Sequence, residues 1–209
     1  MKPEDWEPCY LRILAYFGFS REDDERSAEL LSALLPRNDI ALLKDTIRGK
    51  DCIVCGNAPS LPLDLKTADF TGKVVIAADA AARVLFLRGI RPEIILSDID
   101  GMDDDFLTMN DAGTILVLHA HGDNIPLVQS WIPKVRGPVV GTTQSKPLAN
   151  VYNFGGFSDG DRAAFAAHHF CASSVAFAGL DLDDDAVTPM KRGKLRWARR
   201  LLALLGHDL

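Results

Sequence analysis

Residues 74–101, VVIAADAAARVLFLRGIRPEIILSDIDG, carry the pattern that decides the fold. An apolar run rich in β-branched residues stops at Asp79, a helix-like segment of small and apolar residues fills about 80–89, and a second apolar run from Glu93 stops at Asp98 and Asp100. The stretch reads as strand, helix, strand. Neither run alternates polar with apolar, so both strands are expected to be covered on both faces, as in a parallel sheet. Only Ile99 separates the two closing aspartates, and side chains on a strand alternate with period two, so both carboxylates should face the same side. Anions held that close repel unless a cation, a proton or a group of donors lies between them. The plain alternative is a helix cap or an Asp-Gly turn.

The same punctuation continues outward from this unit. Further apolar runs, CIVCGNAPS (52–60), TILVLHAHGDN (114–124), PVVGTTQS (138–145) and SVAFAGLDL (174–182), alternate with helical candidates at about 103–110, 124–135, 159–170 and 191–206. This predicts an α/β fold, a Rossmann-like, mostly parallel sheet flanked by helices, over 49–209. Residues 1–48 read as a small helical region that packs on something else. WEPCYLRILAYFGF (6–19) puts Trp6, Tyr10, Ile13, Leu14 and Phe17 on one face, and Ser20 is placed to cap a second helix, with Glu22 to Glu25 as its solvated acidic start.

Composition narrows the function. With 209 residues, 47% hydrophobic and 25% charged, the chain suits one mid-sized domain with a core. A net charge of −6 and a pI of about 5.3 lack the basic field of a nonspecific nucleic-acid binder. No run is long and apolar enough for a membrane span, and the acidic, aromatic start is unlike a signal peptide, so a cytoplasmic protein is expected. Cys52 and Cys55 form a C-x-x-C, which evokes redox or zinc chemistry. No second pair exists and the flanks are apolar, so buried structural thiols are the expectation.

In open parallel sheets ligands bind beyond the carboxyl ends of the strands, and here polar residues gather at those ends. Gly56 and Asn57 form a short loop suited to backbone–phosphate contact, though it is neither a P-loop nor a dinucleotide fingerprint. Asp79 is an N-cap, a metal ligand or a ligand acceptor. Asp98 and Asp100 suit Mg²⁺, which prefers carboxylates and phosphate oxygens. His119, His121, Asp123 and Asn124 offer hydrogen bonding or proton handling rather than zinc, since no third nitrogen or sulfur ligand is near. Gly155 and Gly156 precede a helix start with Ser158, Asp159 and Asp161. Arg162 there opposes the helix dipole and so suggests an anionic partner. Lys191 and Lys194 open a basic C-terminal helix and are placed to reach phosphates.

Taken in order, AADAAARVLFLRGIRPEIILSDIDG, HAHGDN, GTTQ, NFGGFSDGDRA and KRGKLRWARRLL, with the helical preface WEPCYLRILAYFGFSREDDERSAELL, resemble the archaeal 6-hydroxymethyl-7,8-dihydropterin pyrophosphokinase family, the MptE-like proteins, over nearly the whole chain. The segment from Asp79 to Gly101 is also similar to thiamin pyrophosphokinases. Ala80 and Ala81 stand where those have glycines, and HAHGDN replaces their Asp-Lys-Asp-type segment, which favours the pterin family. The resemblance implies transfer of a diphosphate from ATP to the hydroxymethyl group of a reduced pterin, with release of AMP and a requirement for Mg²⁺. In that scheme Asp98, Asp100 and the nearby Asp79 hold the metal. Gly56, Asn57, Thr142, Thr143 and Gln144 line the nucleotide path. Asp123 handles the hydroxyl with His119 or His121, and Asp159, Asp161 and Arg162 complete the acceptor or phosphate site. A nonenzymatic nucleotide-binding module is the competing reading. A homodimer is compatible with the resemblance and is indicated by no residue pattern.

Overall fold

The computed structural model describes residues 1–209. Its elements run α1 (Pro3–Phe17), α2 (Arg21–Leu34), α3 (Ile40–Ile47), β1 (Asp51–Cys55), α4 (Leu61–Thr67), β2 (Val74–Ala78), α5 (Ala81–Phe86), β3 (Ile94–Ser97), α6 (Asp104–Asp111) and β4 (Ile115–Ala120). They continue with α7 (Ile125–Trp131), β5 (Val139–Thr143), β6 (Val151–Tyr152), α8 (Asp159–His169), β7 (Ser174–Ala178) and α9 (Pro189–Leu204). The expected α/β class is what the chain adopts. The sheet is parallel at every pairing, in the order β6-β5-β4-β3-β2-β1-β7. The expected helices are present within a few residues, whereas α4 and the two-residue strand β6 were not anticipated.

Alternation along each strand sorts the core into two faces. Ile53, Cys55, Val75, Ala77, Ile95, Leu116 and Leu118 pack with α2 and α4–α7. Cys52, Val54, Val74, Ile76, Leu96 and Val117 pack with α3 and α8. Cys52 and Cys55 are therefore buried on opposite faces and both are free thiols, as the structural reading expected. Burial pushes the Cys52 thiol up to about 11 and the Cys55 thiol to about 12, so neither is a ready thiolate. Outside α8 lies a further layer, in which Trp6, Tyr10 and Ile13 of α1 meet Phe165 of α8, Trp197 and Leu201 of α9, and Phe157.

The strand order explains where a site must open. Strands β1 to β6 step in one direction across the sheet, and the β6–β7 connection, which contains α8, returns across the other face to set β7 beside β1. The direction of stepping across the sheet thus reverses between the parallel strands β1 and β7, and loops leaving neighbouring strands there diverge to opposite sides. No helix is long and apolar enough to cross a membrane.

Candidate active site

A cavity of about 690 Å³ lies over the carboxyl ends of the strands. Its floor is acidic. Asp79 follows β2 and Asp98 and Asp100 follow β3, while the first turn of α8, crossing beneath, delivers Asp159. Carboxylate oxygens of Asp79, Asp98 and Asp159 all lie within 4.8 Å of one another. β3 ends at Ser97, so Asp98 and Asp100 reach the same cavity through a turn, in which Ile99 has φ +78°, and not through strand pleating. Asp100 lies beside Asp98 but outside that group of three. The Ser97 hydroxyl donates to Asp79 Oδ1 at 2.6 Å and accepts from the Ile99 backbone N–H at 2.9 Å, fixing both strand ends.

The charge on this floor is only partly compensated. Burial, then the Asp98 charge, lifts Asp159 well above the ordinary carboxyl range. Burial also raises Asp79, against the hydrogen bond from Ser97. Burial acts the same way on Asp98, but His121 and Arg162 outweigh it and hold that carboxyl low, and Asp100 is raised by burial and by the Asp98 anion. Arg162, itself buried, donates to Asp159 Oδ1 at 3.2 Å and to Gln144 Oε1 at 3.1 Å, leaving its Nε without a partner. Three clustered oxygens with no sulfur or nitrogen among them form a donor set that fits a hard divalent cation.

Of the residues singled out from sequence, Gly56, Asn57, Asp79, Asp98, Asp100, His121 and Asp123 line the cavity. Gln144, Asp159, Arg162, Lys191 and Lys194 line it as well. The others stand behind the wall. His119 is buried with Nδ1 3.0 Å from Thr142 Oγ1. Thr142 gives its own proton to the Leu118 carbonyl, so the histidine proton is assigned to Nδ1 and the buried Nε2 stays bare and unpartnered. Burial, then Arg162, drives that imidazole well below its usual range. Asn124 ties the Asp98 and His119 carbonyls together at 2.6 and 2.7 Å. The Thr143 hydroxyl accepts from the Ser145 N–H. Gly155 packs on the Phe165 ring and Gly156 on the Arg162 backbone. Asp161 is buried, accepts from the Phe157 and Ser158 N–H groups and is pushed up to about 6, mainly by burial.

His121 Nδ1 accepts from the Asp123 N–H at 3.3 Å, which leaves Nε2 to carry the proton toward Asp98 Oδ2, 3.5 Å away. Asp123 is exposed in the cavity and makes no side-chain hydrogen bond.

The sequence reading passed over the contribution of the first two helices. Gly18, Phe19, Ser20, Asp23 and Asp24 all line the cavity. Ser20 caps α2 as expected, but the acid run behind it is not wholly solvated. Asp24 is 2% exposed and accepts from Tyr10 Oη, Gln144 Nε2 and the Gly122 N–H, each at 2.8 Å. The helical period did carry a signal, since Asp24 falls on the same face as the apolar Ala28 and Leu31.

Fold and site together define an α/β protein with an acidic cleft at the strand ends, faced by lysines. The chain belongs to the MptE-like family: the family profile described as "6-hydroxymethylpterin diphosphokinase MptE-like" matches residues 27–186. It is 39% identical over 228 aligned positions to a Pyrococcus furiosus protein named 6-hydroxymethyl-7,8-dihydropterin pyrophosphokinase, with 100% of this chain and 96% of the relative covered. A Methanothermobacter thermautotrophicus protein of the same name is 37% identical, covering 100% and 97%. One from Methanocaldococcus jannaschii is 36% identical, covering 87% and 80%.

Proposed function

We propose that this chain transfers the terminal diphosphate of ATP to the hydroxymethyl group of 6-hydroxymethyl-7,8-dihydropterin, releasing AMP. The observation that carries this reading is the likeness, across the chain's full length, to relatives bearing that enzyme name. The cavity chemistry agrees with it. In such a transfer the hydroxyl oxygen attacks the β-phosphorus, the bond from that phosphorus to the oxygen bridging to the α-phosphorus breaks, and AMP leaves. Catalysis of this kind rests on positioning and charge neutralisation rather than on a covalent nucleophile.

Asp79, Asp98 and Asp159 would hold Mg²⁺, with Asp100 beside Asp98. When bound, the ion would offset phosphate charge. Lys191 and Lys194 bind the phosphate chain beside the Gly56–Asn57 loop, where the Gly56 and Ala58 N–H groups are already bonded to the Ala178 and Gly179 carbonyls and only the Asn57 N–H is left to support it. Asp123 receives the hydroxyl proton, a role that suits its free carboxylate. His121, with its proton committed toward Asp98, keeps that carboxylate ionised. Arg162 steadies Asp159.

The test is to incubate purified protein with ATP, Mg²⁺ and 6-hydroxymethyl-7,8-dihydropterin, with thiamin in a parallel tube, and to identify products by mass spectrometry. AMP with the pterin diphosphate is expected. ADP, or AMP formed only with thiamin, would overturn the proposal, and no nucleotide product would leave a binding module.

A further inference from the structure

Away from the cavity, α8 and α9 bring two imidazoles together at their carboxyl ends. We propose that His168 and His207 form a site for a divalent transition-metal ion of the zinc class, which pins the tail after α9 to α8. The proposal does not depend on the reaction proposed above.

The two rings belong to residues 39 positions apart and meet Nε2 to Nε2 at 2.8 Å. Both sit on ordered backbone. His168 lies in the last turn of α8. His207 follows a closed helix end: Gly206 turns left-handed at φ +84°, and the His207 N–H returns to the Leu202 carbonyl at 3.1 Å. The His207 ring also stands edge-on to Phe177 of β7, with centroids 4.9 Å apart. Arg199 ties the tail down beyond it by donating to the Leu209 carbonyl at 2.5 Å. Two nitrogens bound tetrahedrally to zinc at about 2.0–2.1 Å stand about 3.3 Å apart, so opening this pair by about half an ångström admits the ion. His168 is exposed and His207 half-buried, which leaves the ion a path in.

The electrostatics favour a metal cation over a protonated ring. Burial lowers both histidines, so each is neutral at pH 7 with a lone pair to offer. With the ion on both Nε2 atoms, each ring keeps its proton on Nδ1 and no net proton is lost. The carboxyl ends of α8, at His169, and of α9, at Leu204, both close beside the pair, and helix carboxyl ends attract positive charge. The Met1 amino group opposes this in part at His168. No third histidine, cysteine or carboxylate ligand atom joins the two nitrogens, so water completes the coordination and the ion stays exchangeable. Imidazole nitrogens select zinc, nickel or copper, whereas the carboxylate floor of the cavity suits a hard ion. One helix carries both chemistries. Asp159 opens α8, and His168 lies nine residues further, about 14 Å along it.

Zinc is titrated calorimetrically into the full chain, and into His168→Asn and His207→Asn, with excess Mg²⁺ present to occupy the carboxylate floor. Melting in EDTA establishes first that each variant is folded. The wild type should bind one zinc ion, and each variant should bind it about tenfold or more weakly, since losing a ligand costs at least as much as losing its outer partner. Zinc at ten times its dissociation constant should raise the wild-type melting temperature by about 4 °C and move that of the variants by less than about 1 °C. Copper(II) on the wild type should show electron paramagnetic resonance splitting from two imidazole nitrogens, reduced to one or none in either variant. Equal zinc affinity in all three proteins, no zinc binding to the wild type, or a copper signal without the two nitrogens would overturn the proposal. None of these readouts uses AMP formation, so failure of the proposed reaction leaves the test intact.

Discussion

Asp79 and Ile99 stand in left-handed backbone, with φ of +46° and +78°. Aspartate tolerates this region, but for a β-branched isoleucine it is an outlier costing on the order of 1–3 kcal/mol. The strain is held by the full burial of the Ile99 side chain in the core and by the Ser97 hydroxyl that bonds both neighbours. Its product is a turn that aims the aspartates on either side of Ile99 into one cavity. Replacing Asp79 or Asp98 with Asn should lower AMP formation about a hundredfold or more while circular dichroism stays unchanged. Near-normal rates in both variants would remove them from the metal set. Asp98 and Asp100 were legible in sequence because they close an apolar run whose companion runs also end in polar residues, which a cap or an Asp-Gly turn at one position does not account for. Asp159 as their partner was not, since only the path of α8 beneath the sheet brings residue 159 to residues 79 and 98.

At the scale of elements, α2 is tied to the site by polar contacts as well as by packing. Asp24 joins Tyr10 of α1, Gly122 after β4 and Gln144 after β5, and Gln144 passes the chain of hydrogen bonds to Arg162 and Asp159. Asp24→Ala strands those donors in a buried setting and should cost about 3 kcal/mol in denaturant unfolding. An effect below about 0.5 kcal/mol, the level of an ordinary surface substitution, would contradict it. On the opposite side, His168 of α8 and His207 after α9 share an Nε2–Nε2 contact of 2.8 Å, which requires one ring to be neutral. Burial lowers both histidines, and His168 is lowered further by its partner. A depressed folded pKa means that the unfolded chain takes up protons first. The stability is therefore complete above the unfolded value near 6.5 and drains away as pH falls from there through the folded pKa. Melting temperature should be level above neutrality and fall below pH 6.5, with a shallower fall in a His168→Asn, His207→Asn double variant. The apolar runs made β1–β5 and β7 legible. β6 was not, because two residues, Val151 and Tyr152, carry no period.

For the molecule as a whole, the first two helices share the cores of the α/β body. Leu31 belongs to the face packed by α2, and Trp6 donates its indole N–H to the Gln144 carbonyl at 2.8 Å. Removing residues 1–48 would uncover those faces and the Phe157 wall. The remaining 49–209 should lose cooperative thermal unfolding and elute as aggregate on gel filtration. A monodisperse product with a sharp transition would instead establish it as an independent domain. The α/β class could be read from local patterns because each strand and helix announces itself within a few residues. The α1–α2 wall of the cavity could not, since it depends on contacts spanning more than a hundred positions, such as Ser145 with Glu25. That span has a consequence in time. During synthesis α1 leaves the ribosome well ahead of the partners of Trp6, Tyr10 and Ile13, since Phe157, Phe165, Trp197 and Leu201 are translated more than a hundred positions later. The nascent chain must carry an uncovered aromatic face until those residues emerge. Its burden on chaperones, and its sensitivity to pauses in translation, should therefore be set by α1 rather than by the sheet.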